Sequence, residues 1–255
     1  MQNIANHYEF LMILAIVSFF IFVGGLITWV FIHPSGRATI LKFEGVVGPF
    51  FSLPGVLFSL TAALMATSLW ENYNVANKSV RTESQGLGSI IDLSQAIPSL
   101  QDHNLILYAK QYAKSVVEDE WETLSSDGEA SPITKRHYET LRQATFKAVD
   151  SLGNNAESKA LMNAMQLVSN GRMTRLAFVS FDVHPVRWYA IIFLAILVQI
   201  VVAFVHLTKP KALVTAMVIA TATVLVPICS IVLTVSSPYV GMISISSNAF
   251  LHLIK

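Results

Sequence analysis

Residues 188–235 read WYAIIFLAILVQIVVAFVHL-TKPK-ALVTAMVIATATVLVPICSIVLTV, two apolar runs of 20 and 24 residues split only by Thr208-Lys209-Pro210-Lys211. As α-helices rising about 1.5 Å per residue, the runs are roughly 30 and 36 Å long, enough to cross a hydrocarbon core of roughly 30 Å. Four residues leave room only for a tight turn, so the pair reads as a membrane hairpin. Trp188 and Tyr189 stand where interfacial aromatic anchors are expected, and Arg187 can snorkel beside them.

Working outward, the N-terminal side repeats the pattern. Residues 10–32 form a run of 23 without a charge, and residues 45–70 are again charge-free, with Pro49 and Pro54 near the start. No Lys or Arg precedes the first run and no A-x-A-like site follows it, which favours a retained span over a cleaved leader. The two prolines predict that the second span, about residues 46–70, is entered through a kink or an irregular turn.

Between the hairpins the composition changes sharply. Residues 71–187 hold 12 of the 17 Lys and Arg and 14 of the 16 Asp and Glu, so this stretch is solvated. Its apolar residues, such as Leu105, Tyr108, Tyr112 and Val116, recur at helical spacing, and breaks fall at Ile97-Pro98, residues 125–132 and Gly153-Asn154-Asn155. Helices are predicted near 72–96, 103–124, 133–151 and 156–180. The first is expected to continue span two, because no Gly or Pro lies between Gly55 and Gly86. The chain therefore reads as an all-α membrane protein, four transmembrane helices in two hairpins flanking a helical soluble insert. Its divisions are 1–70, 71–187, 188–235 (spans about 188–207 and 212–235) and a short tail, 236–255.

A hydrophobic share of 53% against 13% charged residues fits this reading, and a net charge of +1 offers no basic field for nucleic acid. The single cysteine, Cys229, excludes an intrachain disulfide. The two short loops on one side carry Arg37, Lys42, Lys209 and Lys211, while Lys78, Arg81, Arg172, Arg175, Arg187 and Lys255 lie near the opposite membrane ends. Four against six sets no preferred orientation.

Catalytic and metal signatures are weak. The histidines, at 7, 33, 103, 137, 184, 206 and 252, form no H-x-x-x-H or H-E-x-x-H pair, so no metal or other cofactor is expected. The sequence has no G-x-S-x-G elbow and no P-loop, and no enzyme activity is expected. Glu118, Asp119, Glu120 and Glu122 make the densest acidic run, which reads as a solvated helix face, with Trp121 as a core anchor of the soluble domain. Trp70 is likewise expected to be structural. Within the spans the only ionisable residue noted is His206, which disfavours a proton relay. Small residues at packing spacing occur as Ser59, Ala63 and Thr67 in span two and as Ala212, Ala216 and Ala220 in span four.

The order of spans and insert resembles the bestrophin channels, and local patterns strengthen the likeness. Trp70-Glu71-Asn72-Tyr73 at the exit of span two is similar to their Trp-rich segment, and Pro238-Tyr239-Val240-Gly241 looks like their Pro-Phe-Gly turn with one residue inserted. The chain is more similar still to the bestrophin-like family of bacterial four-span proteins. That match rests on Glu83, Tyr112, Glu120-Trp121, Arg172-Met173-Thr174-Arg175, Pro185, Trp188 and the stretch from Pro238 to Ser246. The resemblance implies a multi-pass protein of the bacterial inner membrane, and a homo-oligomer in which five subunits surround an ion pore lined by span two. Counting back from Trp70 places the neck at Ser52, Val56 and Leu60. It does not extend to calcium gating, since Ser236 and Ser237 precede the turn and no Asp or Glu follows it. The rival reading is a membrane-anchored signalling or scaffolding protein whose helical domain binds a partner.

Overall fold

The computed structural model describes residues 2–43, 52–126, 128–179, 184–235, 238–239 and 244–254. Among them the chain is helical and holds no β-strand. Four helices are long and apolar enough to cross a bilayer: α1 (Gln2–Ile32), which is apolar from Phe10, α3 (Ser52–Ala96), α8 (Pro185–Val205) and α9 (Pro210–Val235). A short α2 (Pro34–Ile40) follows the first span. The remaining helices are α4 (Leu105–Ser115), α5 (Trp121–Ser126), α6 (Pro132–Leu152), α7 (Ala156–Ala177) and α10 (Asn248–Ile254).

The helices gather into two compact units. One comprises residues 3–70 and 182–236 and contains the spans; the other is drawn mainly from residues 71–181 and 237–255. In the first unit Pro185 sits in the opening turn of α8, where its missing N–H costs nothing, and the His184 ring accepts from the Val186 N–H. The turn after α8 is short because Pro210 already begins α9. Phe31, Ile40, Ala203, Leu207, Leu213 and Met217 pack into one cluster, which draws the end of α1, α2 and the α8–α9 turn together.

Among the described residues, two polar side chains, Gln199 and Thr221, are buried inside this apolar unit. Gln199 has no solvent exposure, and its Nε2 donates to Thr221 Oγ1 at 3.0 Å. Gly24 makes the approach possible: a Cβ there would lie 2.7 Å from the Thr221 hydroxyl. Gln199 lies near the middle of the first run of the quoted hairpin, yet an uncharged amide in an apolar run carries no sequence signal of burial.

The helical unit builds on local caps. Ser131 accepts from the Thr134 N–H ahead of α6, and Asn155 and Ser158 form a reciprocal capping box that opens α7. Gly153, with φ +72°, ends α6 in a conformation that favours glycine. Leu87, Leu100, Leu105, Leu141, Leu161 and Val168 are fully buried between these helices.

One expectation is corrected, and one falls partly outside the described residues. The helix predicted over 103–124 is interrupted: α4 ends at Ser115 and a π-helical turn, Val116–Glu120, closes the Trp121 N–H on the Val116 carbonyl before α5 begins. In the short tail, α10 belongs to the helical unit and buries Phe250 and Leu253. The irregular entry expected at Pro49 lies outside the described residues; α3 runs unbroken from Ser52, with Pro54 tolerated in its first turn.

Candidate functional site

Two glycines bring α3 and α7 into backbone contact. A Cβ on Gly171 would fall 2.6 Å from the Glu83 nitrogen, and one on Gly86 would fall 2.8 Å from the Ala164 carbonyl oxygen. One turn beyond Gly171, Arg175 therefore meets Glu83 directly. Its Nε donates to Glu83 Oε2 at 2.7 Å, and its Nη2 donates to Glu83 Oε1 at 3.1 Å and to Glu120 Oε2 at 2.6 Å. Arg172 grips the same Glu120 with both prongs, Nη2 to Oε1 at 2.7 Å and Nη1 to Oε2 at 2.8 Å. Tyr112 closes the ring: its hydroxyl donates to Glu83 Oε1 and accepts from Arg172 Nη1 at 3.0 Å.

Aromatic rings wall the cluster. The Arg172 guanidinium lies 5.3 Å from the Tyr138 ring centre, and that of Arg175 lies 5.6 Å from the Trp121 ring. Arg175 Nη1 is buried without a hydrogen-bond acceptor, so the face of Trp121 is its compensating partner. Trp121 in turn donates from Nε1 to the Ile245 carbonyl at 3.3 Å and stands edge-on to Tyr239 and Phe250. The Tyr239 hydroxyl donates to the Arg175 carbonyl at 3.0 Å.

Glu83, Glu120 and Arg175 have no solvent exposure and Arg172 has 6%, yet the formal charges cancel. Each charge loses several kcal/mol of hydration on burial, and bidentate, charge-assisted bonds are what offset that loss. The Tyr112 phenol is pushed well above its ordinary range by burial and then by Glu83. Burial alone would lower Arg175, but Glu83 and Glu120 outweigh it and hold the guanidinium well above its usual value. Tyr112 and both guanidinia therefore keep their protons across the physiological range. The cluster is a clamp joining α3, α4, the π turn, α7 and the 238–239 turn.

The solvated reading of the acidic run is overturned at one residue. Glu118 and Glu122 are exposed, but Glu120 faces inward onto Arg172 and Arg175, more than fifty positions away in the chain. Charge density alone did not reveal this, because the neutralising partners are distant in sequence. Trp121 is half-buried as a wall of the clamp, whereas Trp70 is 53% exposed and lies outside the chain's own core. Glu71 is exposed and Tyr73 and Trp188 are half-buried; Pro185 is exposed on the first turn of α8, Pro238 is buried, and Gly241 lies outside the described residues. Ser52, Val56 and Leu60 are all exposed on the membrane part of α3, the last two at 61% and 56%. The structure thus unites Glu83, Glu120, Trp121, Arg172, Arg175 and Tyr239 in one place. Among the described residues no group of His, Cys, Asp and Glu could hold a metal.

A model of the bestrophin-like domain matches residues 7–250. The chain belongs to the bestrophin-like family. Among solved structures, a crystal structure of a membrane protein is similar to it, with a TM-score of 0.65 over 93% of this chain and 95% of that one. At 11% identity that likeness shows a shared fold. No curated protein matches the sequence. In this bestrophin-like chain the clamp is assembled from Glu83, Tyr112, Glu120 and the Arg172-Met173-Thr174-Arg175 stretch, so the resemblance and the geometry single out the same residues.

Proposed function

We propose that this bestrophin-like protein is a subunit of an oligomeric ion channel whose pore is lined by α3, with Ser52, Val56 and Leu60 along its neck. One observation carries the reading. The membrane part of α3 is the least apolar of the four spans, yet Ser52, Val56 and Leu60 form an exposed row on it. A span of lower apolarity is less suited than its neighbours to lipid on every side, and an exposed, mostly apolar row on it suits a narrow neck between subunits. The clamp fixes Glu83 of this same helix against α7, which is how the helical unit would govern the span. No catalysis is part of this assignment.

The rival, a partner-binding scaffold, draws on exposed apolar side chains of the helical unit such as Leu107 and Met173. Flux measurement on the full chain in liposomes separates the two. Ser59, Ala63 and Thr67 lie on a second exposed row, rotated by about 60 to 100 degrees at roughly 100 degrees per residue. Val56→Ser and Leu60→Ser are expected to raise flux without changing oligomer size, since a polar substitution wets an apolar constriction. Ala63→Leu is expected to break up the oligomer. Purified oligomer that passes neither anions nor cations with either serine variant overturns the channel reading and leaves the scaffold.

A further inference from the structure

The membrane unit carries a groove of about 640 Å³ between α1 and α9 that nothing in the channel reading uses. Its walls include Ile21, Gly25 and Trp29 on one helix and Val214, Thr221 and Leu225 on the other. At about 1.5 Å per residue it extends roughly 12 Å along α1 and 16 Å along α9. It therefore runs from near the end of α1 and the start of α9 toward mid-membrane.

The two neighbouring glycines on its wall differ. Gly24 is required by the chain itself, since a Cβ would strike Thr221; a Cβ on Gly25 would meet nothing within 4 Å. Packing within the chain does not account for Gly25, whose missing side chain keeps the groove open. Four cations stand in the segments that join the spans at this end. Ile40, Leu207 and Leu213 share one cluster, so the residues flanking them, Arg37 and Lys42 on one side and Lys209 and Lys211 on the other, gather at the same end of the unit. None of these four cations forms an ion pair among the described residues.

We propose that this groove binds one acyl chain of an anionic phospholipid, whose headgroup is held by Arg37, Lys42, Lys209 and Lys211. The apolar walls suit a hydrocarbon chain, and both threonine hydroxyls of the lining are already engaged within the chain, Thr221 accepting from Gln199 and Thr28 donating to the Gly24 carbonyl. These cations, which form no ion pair among the described residues, supply the preference for negative headgroups, as basic clusters at membrane surfaces do.

The test reconstitutes the full chain in phosphatidylcholine vesicles containing an equal mole fraction of brominated phosphatidylglycerol or brominated phosphatidylcholine. Bromine quenches nearby indoles, and the signal of Trp29 is the difference between the parent and Trp29→Phe. Quenching of Trp29 is expected to be about threefold stronger with the anionic lipid. Lys209→Gln with Lys211→Gln should remove the preference, and Gly25→Leu should remove the excess quenching altogether. Added inorganic phosphate should leave it unchanged. Equal quenching by the two lipids in the parent overturns the headgroup site, and so does a preference that survives the double lysine variant. Quenching untouched by Gly25→Leu in protein that folds places the chain elsewhere. A parent without Trp29 quenching whose oligomer dissociates with Gly25→Leu assigns the groove to a second copy instead, and also overturns the proposal. The lysine variant changes two exposed residues, so the test stands even if Gly25→Leu does not fold.

Discussion

The helical unit seals four formal charges in its interior, Glu83, Glu120, Arg172 and Arg175, whereas the membrane unit seals one neutral amide, Gln199, beside Thr221. The charged set leaves one nitrogen, Arg175 Nη1 with its two N–H bonds, without an acceptor but on a guanidinium that lies over an aromatic ring; the amide leaves Oε1 without a donor. In the solvated unit, charges are kept because each lost hydration contact is replaced by a short bond to an opposite charge. In the spans a single polar pair adds little, and the helices come close mainly because Gly24 has no side chain to meet Thr221.

The largest effect should come from breaking the charged set unevenly. Arg175→Met leaves Glu83 facing Glu120 with only Arg172 to share, and is expected to cost about 3 to 5 kcal/mol, the usual penalty for stranding a buried charge. Denaturant unfolding of the full chain in detergent, followed by Trp fluorescence, checks it. A loss below about 1 kcal/mol would show that water reaches the cluster.

A pH series sharpens the same contrast. The folded pKa of Tyr112 is raised, so its contribution to stability is fully present below the unfolded phenol value of about 10 and is lost as pH rises above it. The slope from one such group approaches about 1.4 kcal/mol per pH unit between the two pKa values. Above pH of about 10 the parent should lose stability more steeply than Tyr112→Phe, while at pH of about 8 the variant should be the weaker, having lost its bonds to Glu83 and Arg172. Parallel curves across that range would mean that the phenol titrates normally.

The smallest effect belongs to the membrane unit. Gln199→Leu removes both the bond to Thr221 and the unpartnered Oε1, and should change stability by no more than about 0.6 kcal/mol, typical of polar pairs between membrane helices. A loss comparable to that of Arg175→Met would place a second clamp in the spans and erase the distinction between the units.

Much of the fold was legible because its signals are local. Charge-free runs of sufficient length report a span whatever surrounds them, and Pro185, Pro210, Ser131 and Asn155 mark helix starts through their own backbone chemistry. The clamp residues were legible as members of a pattern, through Glu83, Glu120, Arg172 and Arg175, but not as a clamp. Pairing depends on two glycines that let α3 touch α7, and on which side of a π turn Glu120 emerges.

Composition and spacing by themselves determined that this chain is an all-helical membrane protein with a solvated insert, because hydrophobic transfer is a property of each segment. Tertiary structure alone decided that Glu120 is buried while Glu118 and Glu122 are not, that Phe250 of the tail packs on Trp121, and that Gln199 meets Thr221. Those outcomes depend on distances between residues far apart in the chain, and electrostatic pairing and close packing act only once the fold has set such distances.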